Sequence, residues 1–337
     1  MNTSDHARRL HKRAIIIDGH NDSLVLRLSR DESMDISQRD ERYHLDIPRA
    51  LEGGLTAMMS MVGSAKLEQA MDLVDATWTL AEEHGDVCVY ATCAVDIERA
   101  KMTGRLAMIG QLESCTCLHG RIATLRNFHR LGVRVANLTH GEGGEAHHVQ
   151  EQASLFDYCT ADDREQARRE MKGLTAYGRE VVAEINRLRM VMDLAHANDA
   201  TFFEAIELSA TPPIFSHGAV FEVCPHWRGL TDDQLCVLAE AGGVMGLAFY
   251  DKFIHREDPS LQRWVDGVVH VIELVGSDHI GIGADYDGLP ETTVPIPPDV
   301  SRLPMVTEAM VERGLDDETI LKVLGGNFMR VLREVIG

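Results

Sequence analysis

Short apolar runs, each closing on a polar residue, recur along the chain, and between them the apolar positions change to a spacing of three and four. The runs are Ala14–Asp18, Leu55–Met61, Leu106–Leu112, Val133–Leu138, Met190–Leu194, Pro213–Phe215, Gly243–Phe249 and His279–Ala284. Their Val, Ile, Leu and Met content, without alternation, predicts strands buried on both faces, as in a parallel sheet. The intervening stretches predict helices over Ala65–Glu83, Asp163–Leu188, Asp199–Leu208, Thr231–Ala241 and Pro259–Val275, with a closing helical pair over Val306–Gly314 and Asp316–Ile336. Asp199, Thr231 and Asp316 stand where helix caps are expected. Strand and helix alternating eight times predict an α/β fold, a (β/α)8 TIM-type barrel: a single domain over residues 1–337 with insertions and a C-terminal helical pair. An open doubly wound sheet would want a glycine-rich phosphate loop after its first strand. Here that strand runs into Asp18-Gly-His20-Asn-Asp22 instead.

Composition narrows the partners. The 337 residues carry 33 Lys plus Arg against 53 Asp plus Glu, a formal net charge of -20, which repels nucleic acid and anionic membranes alike. The N-terminal residues lack the apolar stretch of an ordinary secretory signal, and no window is long and apolar enough to span a membrane. The expected location is cytoplasmic. Seven scattered cysteines, an odd number, predict reduced thiols; Cys115-Thr-Cys117, with no second pair nearby, is a weak zinc signal and reads as buried apolar packing.

In a barrel enzyme the chemistry sits at the C-terminal ends of the strands. That position, read run by run, yields His20 with Asp22, then Ser64, Glu113, His140, His196, His217, Tyr250 and Asp285. His20 and Asp22, two apart on an extended backbone, share a face and offer a nitrogen and an oxygen ligand, although an Asp–His pair also closes ordinary loops. Glu113 ends a buried run, so its carboxylate needs a metal or an ion pair such as one with Arg134. His196 and His217 follow apolar runs on consecutive segments, as ligands would. The set His20, Asp22, Glu113, His196 and His217 is enough for two metals with Glu113 bridging. Asp285 at the mouth is a proton shuttle in this reading, while Asp287-Gly288 reads as turn chemistry. Arg228 is either a solvated loop residue or a bidentate clamp for a substrate carboxylate. His140 is placed to donate to a developing oxyanion, and His147 and His148 are expected to face solvent.

These residues together resemble a known family. Ile17-Asp-Gly-His20-Asn-Asp22, Leu138-Thr-His140, Asp193-Leu-Ala-His196, Ile214-Phe-Ser-His217, Cys224-Pro-His-Trp-Arg228, Gly246-Leu-Ala-Phe-Tyr250, Gly281-Ile-Gly-Ala-Asp285-Tyr-Asp287-Gly288 and Gly326-Asn327-Phe look like the renal (membrane) dipeptidases, zinc peptidases of the amidohydrolase superfamily. The resemblance runs from about Ile15 to Arg330. It implies two Zn2+ per chain, one on His20 and Asp22 and one on His196 and His217, bridged by Glu113. It also gives Asp285 the proton transfer, Arg228 and Tyr250 the substrate carboxylate, and His140 the scissile carbonyl. The implied substrate is a dipeptide with a free C-terminus, including L-Xaa-D-Xaa, and the implied assembly is a homodimer. Three departures bear on specificity: Ser114-Cys115 stands where the family has Gly-Gly, Ala195 where it has serine, and Gly141–Glu145 lacks the usual asparagines. The altered Gly141–Glu145 loop motivates an alternative, a metal-dependent amidase or lactam/lactone hydrolase acting on a non-dipeptide substrate.

Overall fold

A computed structural model describes residues 3–63, 66–290 and 293–337. Its strands are β1 (Ile17–Asn21), β2 (Ala57–Met61), β3 (Cys88–Tyr90), β4 (Leu106–Glu113), β5 (Val135–Asn137), β6 (Val191–Asp193), β7 (Ile214–Val220), β8 (Gly229–Leu230), β9 (Val244–Leu247) and β10 (Ile280–Ile282). Every pairing among them is parallel. The ladder runs β1–β2–β4–β5–β6–β7–β9–β10 and returns to β1, closing a barrel of eight strands among the described residues. The expected (β/α)8 fold is therefore present. Two short strands escape the sequence pattern. β3 covers the first half of β4 before β5 takes over at Gln111, and β8 extends the upper end of β7.

Continuous apolar runs form because each barrel strand feeds two cores. Ala57, Met59, Ala107, Ile109, Val135, Val191, Ile214 and Val244 fill the barrel interior, whereas Met58, Leu106, Met108, Ala136, Met192 and Met245 pack against the helical shell. The period-two alternation of a strand sends successive side chains to these two destinations. The helix Asn327–Ile336 closes the lower mouth, where Phe328, Val331 and Leu332 join the interior core. Asn327 holds that plug in place by donating from Nδ2 to the carbonyls of Ser277 and Ile280, each at 2.8 Å. Gly326-Asn327-Phe328 is thus a packing device at the end opposite the mouth.

The interior changes character as it rises. On β4, Ala107 and Ile109 are followed on the same face by Gln111 and Glu113. At the same height Asn137, Asp193 and Ser216 line the other strands, all buried. Gly246 and Gly283 let the backbones close in: a Cβ at either position would lie 2.0 Å from the Ser216 carbonyl oxygen. A polar layer therefore sits beneath the upper mouth.

Several boundaries differ from those expected. The helix expected over Asp163–Leu188 is two, Ala161–Arg168 and Ala176–Leu188, because Thr175 caps a new start by accepting from the Gly178 amide. The cap of the helix beginning at Asp199 is Asn198, whose side chain accepts from the Thr201 amide; Asp199 is instead clamped by Arg164. Thr231 and Asp316 cap as expected, but the last helix breaks around Gly325. The sixth run extends to Val220, so His217 lies inside its strand rather than beyond it. Ser64 and the first residue of the helix expected from Ala65 lie outside the described residues.

Candidate active site at the upper mouth

Four strand ends, those of β1, β4, β6 and β7, bring five polar residues to one point. Glu113 Oε1 lies 3.2 Å from His20 Nε2, 3.1 Å from His196 Nε2 and 3.7 Å from His217 Nε2. Asp22 Oδ2 is 3.2 Å from the other side of His20 Nε2. The imidazoles of His20 and His217 stack with ring centres 4.1 Å apart, and the Nε2 atoms of His196 and His217 face each other at 2.9 Å. All five side chains are under one-tenth exposed. The alternative partner for Glu113 is not used: Arg134 donates to the carbonyls of Thr92, His129 and Val133.

The polar layer below orients these groups. Asp193 can only accept, so the Gln111 amide donates to its Oδ2 at 2.8 Å and turns its own oxygen toward His20 Nδ1, also at 2.8 Å. A proton of His20 is thereby on Nδ1, and Nε2 is turned toward Glu113 and Asp22. Asp193 Oδ1 accepts from the amides of Ala195 and Ser216, which fixes the segments carrying His196 and His217. Ser216 Oγ lies 2.9 Å from His217 Nδ1. Asp18 Oδ1 accepts from the amides of His20 and Ala284, joining β1 to β10; burial pushes the Asp18 carboxyl up to about 7. Gln111, Asp193, Asp18 and Ser216 are the functional residues that sequence reasoning missed. Their signal is a polar residue inside an apolar run, on Gln111 two residues before the ligand and so on the same face.

Burial holds His196 and His217 well below the usual histidine range, so both rings are neutral and carry lone pairs. His20 goes the other way: burial alone would lower it, but the Glu113 and Asp22 carboxylates raise it. Asp285 follows β10 in a left-handed conformation, φ 60°, as does His196 after β6, φ 66°. Such conformations cost about 1–3 kcal/mol and persist where the surroundings impose them. Each turns its side chain back over the mouth. Dense surroundings push the Asp285 carboxyl up to about 8, with Asp22 and Glu113 adding to the rise and His20 opposing it. Asp287 is occupied elsewhere, its Oδ1 accepting from the His44 amide at 2.7 Å.

Around this cluster lie two joined cavities. One, of about 290 Å³, is lined by Arg228, Tyr250, His226, Phe156 and Phe253; the other, of about 370 Å³, by Asp22, Met61, Glu113, Ser114 and Glu142. His140, His196, Asp285 and Gly288 line both. Arg228 is not a solvated loop residue. It is 5% exposed, its Nη1 is buried without a partner, and burial lowers its pKa to about 10. Tyr250 is half-buried at the start of a short helix, and His140 is exposed with its ring 4.3 Å from that of His196. His147 and His148, expected in solvent, are only partly exposed and lie away from the cluster, with His147 Nδ1 3.5 Å from Glu145. None of the seven cysteines forms a disulfide; Cys115 and Cys117 are buried and donate to the carbonyls of Asn137 and Ser114.

The donor set fits divalent metal. His20 Nε2 is fully buried between two carboxylates with no aligned hydrogen bond, and the Nε2 atoms of two neutral imidazoles meet at 2.9 Å. The ligand atoms of His20, Glu113 and His217, of Glu113, His140 and His196, and of His20, Asp22 and Asp285 each lie within 4.8 Å of one another. Gly288 leaves the adjoining space open, since a Cβ there would meet Asp22 Oδ2 at 2.1 Å and Asp285 Oδ1 at 2.6 Å. Mixed imidazole and carboxylate ligands suit zinc and its neighbours.

Fold and donor set together define a metal-dependent hydrolase barrel. The comparisons agree. Residues 4–336 match the membrane dipeptidase family, peptidase family M19, to which the chain belongs; it is a dipeptidase of that metallopeptidase family. The dipeptidase tcpJ of Claviceps purpurea is 30% identical over 340 residues, covering 94% of this chain and 76% of the relative. The dipeptidase AC, a metallopeptidase of family M19, has a TM-score of 0.85 at 26% identity, covering 96% of this chain and 99% of that one. A metallopeptidase from Rhodobacter sphaeroides, liganded with a phosphinate mimic of the dipeptide L-Ala-D-Ala, has a TM-score of 0.83 at 26% identity, covering 96% and 99%. No helix among the described residues is long and apolar enough to cross a membrane.

Proposed function

We propose that this chain is a binuclear zinc dipeptidase, a single domain over residues 1–337, that hydrolyses short peptides with a free C-terminal carboxylate. The observation that carries the reading is the convergence of His20, Asp22, His196 and His217 on the Glu113 carboxylate. His20 and Asp22 would hold one ion, His196 and His217 the second, with Glu113 shared. Bound there, divalent zinc lowers the pKa of its water from 15.7 toward about 7, supplying hydroxide at neutral pH.

The chain's own residues do the rest. Arg228 offers its unpartnered Nη1 to the substrate carboxylate, and Tyr250 lines the same cavity. Holding that carboxylate fixes where the scissile amide falls, over the shared residues His140, His196 and Asp285. With the cations bound beside it Asp285 would be ionised; it then takes the proton of the attacking water on its carboxylate and hands it to the leaving amine, so it ends the cycle as it began. His140 donates to the carbonyl oxygen as negative charge builds there.

The Rhodobacter relative's ligand supports extending the substrates to L-Xaa-D-Xaa dipeptides, and the family resemblance supports a homodimer. A library of L-Xaa-L-Xaa and L-Xaa-D-Xaa dipeptides, assayed with added Zn2+ and a chelator control, tests the reading. Cleavage abolished by chelator and restored by zinc is expected. Zinc-dependent hydrolysis of other amides or lactones, with silence across the dipeptides, would favour the second reading, motivated by the Gly141–Glu145 loop. Homodimerisation is checked by the mass in solution.

A further inference from the structure

The two cavities differ in charge. The Arg228 side carries a buried cation with an unused donor, whereas among the described residues no lysine or arginine lines the other side. That second side holds five carboxylates: Asp22, Glu113, Glu142, Asp285 and Asp287. Asp22 and Glu113 belong to the metal cluster, Asp285 to proton transfer, and Asp287 is bonded to His44. Glu142 is the lining carboxylate that nothing so far employs.

Its placement is specific. Three donors converge on Glu142 Oε2: the His140 amide at 2.7 Å, Thr139 Oγ1 at 2.9 Å and Ser114 Oγ at 3.2 Å. No hydrogen bond among the described residues goes to Oε1. Ser114, immediately after Glu113, takes φ 97°, a conformation that favours glycine; its hydroxyl both anchors Glu142 and accepts from the Thr116 amide. The carboxylate is therefore tied at one oxygen to the residues flanking the reaction centre, with its second oxygen left for a ligand. Val25, Leu26 and Met61 line the same cavity and suit an aliphatic stem.

We infer that Glu142 recognises a primary ammonium group on the N-terminal residue of the substrate, opposite the carboxylate that Arg228 holds. The inference rests on the dipeptidase reading. With the scissile amide over His140, His196 and Asp285, the substrate's first residue falls in the cavity that Glu142 lines. An ammonium there can be the α-amine or the ε-amine of lysine, and both present the same chemistry. A charge-assisted hydrogen bond of this kind changes kcat/KM about 10- to 100-fold.

Kinetics of the wild type and Glu142→Gln on L-Ala-L-Ala, N-acetyl-L-Ala-L-Ala and L-Lys-L-Ala separate the outcomes. Gln keeps an acceptor for the His140 amide and Thr139, so the loop anchor survives. If the α-amine is bound, acetylation costs the wild type about 10- to 100-fold, mainly in KM, and the penalty collapses in Glu142→Gln. If the ε-amine is bound, the wild type prefers L-Lys-L-Ala and the variant loses that preference. Glu142→Asp, which keeps the charge, recovers part of either discrimination and supplies the comparison if the Gln variant is unstable. Both substrate ratios unchanged in the variants overturn the role of Glu142 alone. A wild type that cleaves none of the three dipeptides overturns the dipeptidase reading and this inference together.

Discussion

The floor of the cleft and its rim are built in different ways. On the floor, His20, Glu113 and His217 lie in barrel strands, fixed by the ladders and by the Gln111–Asp193 layer beneath. On the rim, His140, Glu142, Arg228, Tyr250 and Asp285 stand outside the barrel strands, held by a few side-chain bonds and, at Asp285, a left-handed turn. A strand end places an atom by backbone geometry that many neighbours share; a loop places it by a few contacts that substitution can alter. Ligands that must meet within a few tenths of an ångström therefore sit on the floor, and groups that choose the substrate sit on the rim. Ser114-Cys115, Ala195 and Gly141–Glu145, where the resemblance marks departures, lie beside or beyond the strand ends.

Substitutions in the two regions should separate metal binding from turnover and recognition. The largest effect is expected from Glu113→Gln on the floor, which removes the shared charge: zinc measured by mass spectrometry should fall and activity drop about 10⁴-fold or more. Asp285→Asn on the rim should keep the metal and lose about 10³-fold in kcat, seen in steady-state kinetics alongside unchanged zinc content. Arg228→Met should raise KM about 10- to 100-fold, with a smaller change in kcat, because one charged hydrogen-bonding partner is removed. Gln111→Ala frees the His20 ring and should weaken zinc affinity about 10- to 100-fold in a chelator competition, with activity recovered at high zinc.

The smallest expected effect lies outside both regions. Hydrogen bonds from Arg187 and Arg126 lower the Glu184 carboxyl to about 2, whereas the unfolded group titrates near 4.3. A depressed carboxylate stabilises the fold above the unfolded pKa and loses that contribution as pH falls through the folded one. Both arginines are largely exposed, so screening leaves about 1 kcal/mol. Glu184→Gln should therefore flatten the loss of melting temperature between about pH 4.5 and 2, with zinc content and kcat unaltered at pH 7.

The floor was also the more legible region in the sequence. Strand ends are announced by apolar runs that stop, so His20, Asp22, Glu113 and His196 could be placed at one mouth before any coordinates. His217 was found too, although its strand continues three residues further because Gly218 and Ala219 pair onward with β8 and β9. The supporting layer was harder to read: Gln111 and Asp193 sit inside apolar runs, and only the folded barrel shows that one can satisfy the other. Rim residues carried the weakest signal. Nothing local distinguishes a buried Arg228 from a solvated one, or sets Glu142 apart from Glu145, because their burial depends on loops that meet only after the barrel closes.

Diffraction from zinc-soaked crystals, recorded on either side of the zinc absorption edge, tests the central claim most directly. The account predicts two anomalous peaks per chain, one between His20 and Asp22 and one between His196 and His217, both touching Glu113. A single peak, or zinc bound away from these side chains, would contradict it.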